Sequence, residues 1–284
     1  MKKELERLTW LYVITWPILW LFIAWIKIRK KRSNGQRIEL YSRIWDGIPA
    51  VRQMREGAAR WPALSSIYNW KPTEKGILGC LEWYYMNGRG CQALRNRYRC
   101  VVGILESEIE RSIEIHGEAR ILSLAAGTCQ SVFDAASSFG DKVKILAIDA
   151  DQSALETSRS LAAQYGIKNV EWRLGNALNP EKVADGFNPT IVEVVGLIDY
   201  LSDTAIKGLL RRISKMLTDG GIVITAHIHD HQERLVIEEL LDWEMKYRTR
   251  HELETIMSLG GFEDFVTATE PHEMFTVIYG RVEK

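Results

Sequence analysis

The sequence predicts an α/β fold: a mostly parallel sheet with helices on both faces, closed at its C-terminal end by an antiparallel strand pair. Three observations carry this. From Ala119 onward, apolar strand-like runs alternate with helical patterns, as parallel strands joined by helical crossovers require. Small residues and carboxylates recur just after those runs, where open α/β sheets bind ligands. Finally, GFEDFVTATE and FTVIYGRV are separated by little more than the turn EPHEM, and strands joined so tightly must pair antiparallel.

Taken in order, ARILSLAA is a strand, QSVFDAASSF a helix, VKILAID a strand and DQSALETSRSLAAQY a helix. NVEWRL, TIVEVVG and GIVITAH read as further strands. Asp203 is expected to cap the helix TAIKGLLRRISKML, which stops at Gly220–Gly221. A second cap is expected at Thr249, where TRHE reads as a capping box. Ahead of the alternating region, Leu94, Tyr98, Val101, Val102, Leu105, Ile109 and Ile113 fall at helical spacing.

The N-terminus has a different character. Leu8 to Ile26 carries no charge, and its length approaches the ~30 Å of a bilayer core at ~1.5 Å per residue. Trp10, Tyr12 and Trp25 sit toward its ends, where amphipathic rings settle. A cleaved signal peptide is disfavoured, because no small-x-small site precedes KIRKKR. A helix lying in the interface is the second reading, and a single membrane-spanning anchor the preferred one. Lys27, Arg29, Lys30, Lys31 and Arg32 outweigh Lys2, Lys3 and Arg7, which places the remainder on the cytoplasmic side of the inner membrane. Residues 1–32 are therefore read as an anchor, 33–117 as a helical cap or lid introduced by the polar link SNGQ, and 118–284 as the ligand-binding domain.

Composition narrows the function. With 46% hydrophobic and 26% charged residues the chain is a folded protein, and 37 basic against 37 acidic residues show no bias toward nucleic acid. Cys80, Cys91, Cys100 and Cys129 form no CxxC pair and read as reduced thiols.

The candidate site lies at the ends of the predicted strands. The first turn, Ala125 to Ser131, has small residues that let backbone N–H groups approach an anionic ligand, although Gly127 is its only glycine. Asp149 ends the second strand, where a carboxylate can accept both hydroxyls of a ribose. Leu174–Gly175–Asn176–Ala177 follows the third, and Gly196 in VVGLIDYL follows the fourth.

Across residues 119 to 282 the chain resembles the class I S-adenosylmethionine (SAM) methyltransferases, with their Rossmann-like sheet and antiparallel ending. More narrowly it is similar to a family of bacterial methyltransferases often found fused to an α/β-hydrolase domain. ALRNRYRCVVGILESEI, ILSLAAGT, PTIVEVVGLIDYL, WEMKYRTRHELETIMSLGGF and MFTVIYG carry that likeness, which extends over about residues 90 to 282. The resemblance implies SAM as cofactor, held by Ala125, Gly127 and Thr128 at the methionine end, Asp149 with Ala150 at the ribose, and Asn176 with Ala177 at the adenine. Gly196 would leave room beside the sulfonium. Three positions depart from the family pattern: Ser123 replaces the acidic residue of the first motif, Cys129 its last glycine, and Asn176 the adenine-motif aspartate.

For catalysis, Asp199 and Tyr200 stand where an acceptor hydroxyl or amine is expected, with His229 of AHIHDH as a third candidate base. His227, His229 and His231 alternate, but no set of ligands for a metal is expected from them. Tyr84, Tyr85, Arg89, Arg95, Arg97 and Arg99 could line a lid with an anion site, although core aromatics and a solvated helix face explain most of them. The expected activity is methylation of a lipid or other hydrophobic, membrane-partitioning molecule, without nucleic acid as partner and with the oligomeric state open. A methyltransferase of a soluble metabolite and a non-catalytic SAM-binding scaffold are the alternatives.

Overall fold

The computed structural model describes residues 4–32, 47–58, 60–262 and 264–284, with the side chain of Leu240 left aside; the link SNGQ lies outside this range. Along the chain run α1 (Trp10–Arg32), α2 (Pro49–Glu56), α3 (Trp61–Tyr68), α4 (Gly76–Met86) and the long α5 (Arg89–His116). There follow β1 (Ala119–Leu124), α6 (Gln130–Ala136), β2 (Val143–Asp149), α7 (Gln152–Gln164), β3 (Val170–Leu174), α8 (Pro180–Val183) and β4 (Ile191–Val195). The chain ends with α9 (Asp203–Met216), β5 (Ile222–Ile228), α10 (Arg234–Leu241), α11 (Arg250–Leu259), β6 (Asp264–Thr269) and β7 (Phe275–Arg281).

These elements form two compact units. One contains residues 97–229 and 246–284, the other residues 4–96 and 230–245. Helix α5 contributes residues to both, and α10 groups with the N-terminal residues.

The sheet unit has seven strands in the order β3-β2-β1-β4-β5-β7-β6. The first five pair in parallel, while β7 pairs antiparallel with both β5 and β6. Strand order reverses between β1 and β4, so the crevice outside their carboxyl ends is the topological switch point. Alternation along the strands sends Leu122, Leu146, Val192 and Val223 into one core layer, with Leu209, Leu210 and Ile213 of α9. Ile121, Ile145, Ile191 and Ile224 enter the other layer, with Val101, Leu105 and Ile109 of α5 and Phe133 of α6. Both faces of the sheet are thus covered, which is why its strands read as continuous apolar runs.

The helix boundaries follow from local chemistry. The Thr249 hydroxyl accepts from Glu252 N and the Glu252 carboxylate accepts from Thr249 N, completing the expected capping box. At α9 the cap is one residue earlier than expected: Ser202 Oγ, not Asp203, accepts from Ala205 N at 3.3 Å. Asp203 instead sits in the first turn and receives Arg248 Nε at 2.8 Å.

In the other unit, α1 is the one described helix long and apolar enough to cross a membrane by length and composition, with a mean hydropathy of 1.8 over its best window. Glu82 of α4 is buried, accepting from Trp70 Nε1 and from Thr73 and Glu74 backbone N–H groups.

Candidate functional site

The turn after β1 is built from alternating backbone handedness. Ala125, Gly127 and Cys129 have φ of 52°, 52° and 58°, whereas Ala126 and Thr128 do not take positive φ. Only one of the three left-handed positions is a glycine, so the turn adopts the glycine-rich conformation with alanine and cysteine in two of the places. The turn uses much of its own hydrogen-bonding capacity within the fold. Ala126 N donates to Ile148 O at 3.0 Å and Cys129 N to Ala126 O at 2.7 Å.

Asp149, at the end of β2, ties this turn to its own. Its Oδ2 accepts from Gly127 N at 2.7 Å and its Oδ1 from Asp151 N at 2.8 Å. A carboxylate has about four acceptor sites, so both oxygens retain capacity for further donors. Ala150 beside it is exposed. At the end of β3, Asn176 is exposed and its Oδ1 accepts from Leu178 N at 2.9 Å, while the neighbouring Ala177 is buried. Gly196 has φ of 87°, which supplies the reversal after β4 that a side chain would resist.

The main feature unseen in the sequence lies under the first turn. Ser123 is fully buried and donates its hydroxyl to Glu193 Oε2 at 2.6 Å. The two face one another in register on β1 and β4, the strands that flank the switch point. Burial is the main reason that the Glu193 carboxyl titrates at about 7, opposed by Ser123, Arg97 and the Val195 backbone. Cys129 is buried close by, and burial pushes its thiol well up, so it is no thiolate nucleophile. A signal for Glu193 was present in the sequence, since a lone acid inside the apolar run TIVEVVG demands a partner.

Glu193 also gives a pH prediction. Its folded pKa of about 7 stands above the unfolded value near 4.5, so its ionisation opposes folding. Stability linked to it is full below pH ~4.5, falls as pH rises and is lost above ~7, on the order of 3 kcal/mol in total. Glu193→Gln removes this dependence. The melting temperature of the variant relative to wild type is therefore expected to rise from pH 5 to pH 8 by several degrees; a constant difference would refute the shift.

Next to this pair lies a buried polar brace. Asp199 is 2% exposed, and its Oδ1 accepts from Ile228 N at 3.1 Å and lies 2.6 Å from His227 Nδ1. Arg97 Nη1 is 3.8 Å from Asp199 Oδ2, and its guanidinium lies over the Phe275 ring at 4.8 Å. Arg248 donates to Leu201 O and Asp203 Oδ1, and reaches toward His227 Nε2 at 3.4 Å.

Asp199, expected to face the acceptor, is buried, and its partners tie the end of β4 to the end of β5. His229 has both ring nitrogens engaged, Nδ1 with Arg248 O at 2.7 Å and Nε2 with Thr276 Oγ1 at 2.6 Å, so proton traffic through it would disrupt two structural ties. Tyr200 is only half-buried at the switch-point side of β4. Among the described residues no cluster of three or more His, Cys, Asp or Glu is arranged to hold a metal. The residues read as a lid take up internal ties: Tyr84 Oη is 2.6 Å from Thr15 Oγ1, and Arg95 binds Glu6 and Met86 O.

A family model described as "Putative methyltransferase" matches residues 26–281. No curated protein matches the chain at a significant level. Among solved structures, a protein of Bordetella parapertussis described as a possible exported protein superposes with a TM-score of 0.67 at 15% identity, covering 89% of this chain and 99% of that one. The SAM-dependent methyltransferase SibL gives 0.53 at 14% identity, over 95% of this chain and 77% of its own. A protein of Nostoc punctiforme described as a "putative O-methyltransferase" gives 0.51 at 18% identity, over 66% of this chain and 59% of its own. At these identities the superpositions establish a shared fold.

Proposed function

We propose, from the premise that this chain belongs to that methyltransferase family, that it transfers the methyl group of SAM to a lipid or other membrane-partitioning acceptor. The observation carrying the cofactor reading is the Asp149 carboxylate at the carboxyl end of β2, joined to the N–H of the first turn at 2.7 Å. Bound SAM supplies an electrophilic methyl group on a sulfonium. The residues named in the sequence fit it. Ala125, Gly127 and Thr128 are small enough for the methionine end of SAM to approach the backbone closely, and Asp149 beside Ala150 accepts the ribose hydroxyls. Asn176, beside Ala177, offers its amide to the adenine edge, and Gly196 keeps the space beside the sulfonium open.

Ser123 itself cannot neutralise the ammonium group of SAM. Glu193, hydrogen-bonded to Ser123, provides a carboxylate one strand over, and we assign it that task. That assignment answers the departure from the family pattern at Ser123. Tyr200 orients the acceptor, while Asp199, His227 and Arg97 hold the strand ends in place.

The membrane part of the reading is motivated by α1, because a tether raises effective concentration toward acceptors dissolved in the bilayer. Two measurements test the proposal. Calorimetry is expected to detect SAM binding, and methyl transfer is expected to a total membrane lipid extract; turnover only on water-soluble metabolites would overturn the acceptor class. Glu193→Gln is expected to weaken SAM binding by about tenfold, the worth of one charge-assisted contact, and to leave methylthioadenosine, which lacks the ammonium, unaffected. Equal losses for both ligands would make Glu193 merely structural.

A further inference from the structure

Helix α1 has two unlike faces. Tyr12, Ile23 and Ile26 are buried, 5%, 5% and 1% exposed. On the same stripe Tyr12 Oη donates to Glu233 at 2.5 Å, Thr15 Oγ1 meets Tyr84 Oη at 2.6 Å, and Lys30 pairs with Glu239. Tyr12 also stacks on Tyr84, with ring centroids 5.6 Å apart. Positions 12, 15, 23, 26 and 30 fall at the three- and four-residue steps of one helix face. The opposite face is uncovered and apolar: Trp10 is 73% exposed, Ile14 64%, Ile18 68% and Leu21 63%. At its C-terminal end Lys27, Arg29, Lys31 and Arg32 are exposed.

Packing along the whole length is hard to reconcile with a span. From Tyr12 to Lys30 the helix rises about 27 Å, nearly the ~30 Å hydrocarbon thickness. Crossing the bilayer with these contacts intact would carry Glu233, Glu239 and the charged helix α10 into hydrocarbon, where ionisable groups are costly. Lying parallel to the surface instead buries only the outer face. The partners of the inner stripe then stay out of the lipid, and the basic end meets the headgroups.

We infer that α1 docks on an anionic bilayer surface in the plane of the membrane, inserting Trp10, Ile14, Ile18 and Leu21 while its Tyr12–Lys30 stripe remains packed on its own unit. Charge complementarity selects the partner: four exposed cations continue directly from the apolar face, as an anionic headgroup layer requires. This rests on the reading that α1 tethers the chain to a membrane.

The test uses the full-length protein. It is expected to co-sediment with phosphatidylcholine vesicles containing phosphatidylglycerol, and to bind pure phosphatidylcholine much more weakly. Combined Ile14→Glu, Ile18→Glu and Leu21→Glu should cut vesicle binding by at least about tenfold while leaving the unfolding midpoint unchanged, because these positions face outward. In cells, tags at both chain ends should be protected from protease on the same side of the membrane. Tags on opposite sides would overturn the in-plane arrangement and leave the tether intact. Absence of all vesicle binding would overturn both. A lipid-free dimer dispersed by the same glutamates would assign the face to a second copy and sink the inference.

Discussion

Asp149→Ala is expected to weaken SAM binding by about 100-fold, or ~2.7 kcal/mol. The magnitude combines two losses. The carboxylate would no longer accept the ribose hydroxyls, and Gly127 N and Asp151 N would lose the acceptors that fix the turn, now 2.7 and 2.8 Å away. Charge-assisted hydrogen bonds contribute ~1.5–3 kcal/mol each, so losing them together suffices. Asp149→Asn retains one acceptor oxygen and should fall between. Calorimetry with SAM and with S-adenosylhomocysteine reads the effect; unchanged affinity in the alanine variant would refute the ribose role.

Asp199→Ala is expected to destabilise the sheet unit by about 3–5 kcal/mol, the cost of removing one partner from a buried charge group. Arg97, 2% exposed, and His227, fully buried, would both lose the carboxylate, and Ile228 N would lose its acceptor. The unfolding midpoint should drop by roughly 10 °C in a thermal melt. A variant that melts with wild type but fails in turnover would return Asp199 to the role of base. Asp199→Asn keeps the shape and an acceptor oxygen, so it should lose clearly less.

Which parts of the molecule could be read from sequence follows from how local each interaction is. The strands and most helices were legible because their apolar periods and caps are properties of short windows. TRHE became the Thr249 capping box, and EPHEM became the tight link that forces β6 and β7 antiparallel. The carboxyl-end positions at Asp149, Asn176 and Gly196 were legible for the same reason, since each follows its own strand. The Ser123–Glu193 pair was not, because its members are separated by 70 residues and meet only through parallel register. Arg97 and His227 were hidden similarly, as α5 and β5 bring them to Asp199 from distant parts of the chain, with Arg248 reaching His227 in turn. Helix α10 (Arg234–Leu241) is short and has no side-chain N-cap, so its start carries no local signal.

Glycine would have given the first turn freedom; alanine and cysteine take it away. Ala125 and Cys129 each incur of order 1 kcal/mol of backbone strain at positive φ, sustained by the surrounding core. The return is conformational entropy: a folded loop with fewer alternatives has less motion to surrender when a ligand arrives. The glycine-poor sequence AAGTC thus describes a cradle already stiff before its ligand binds.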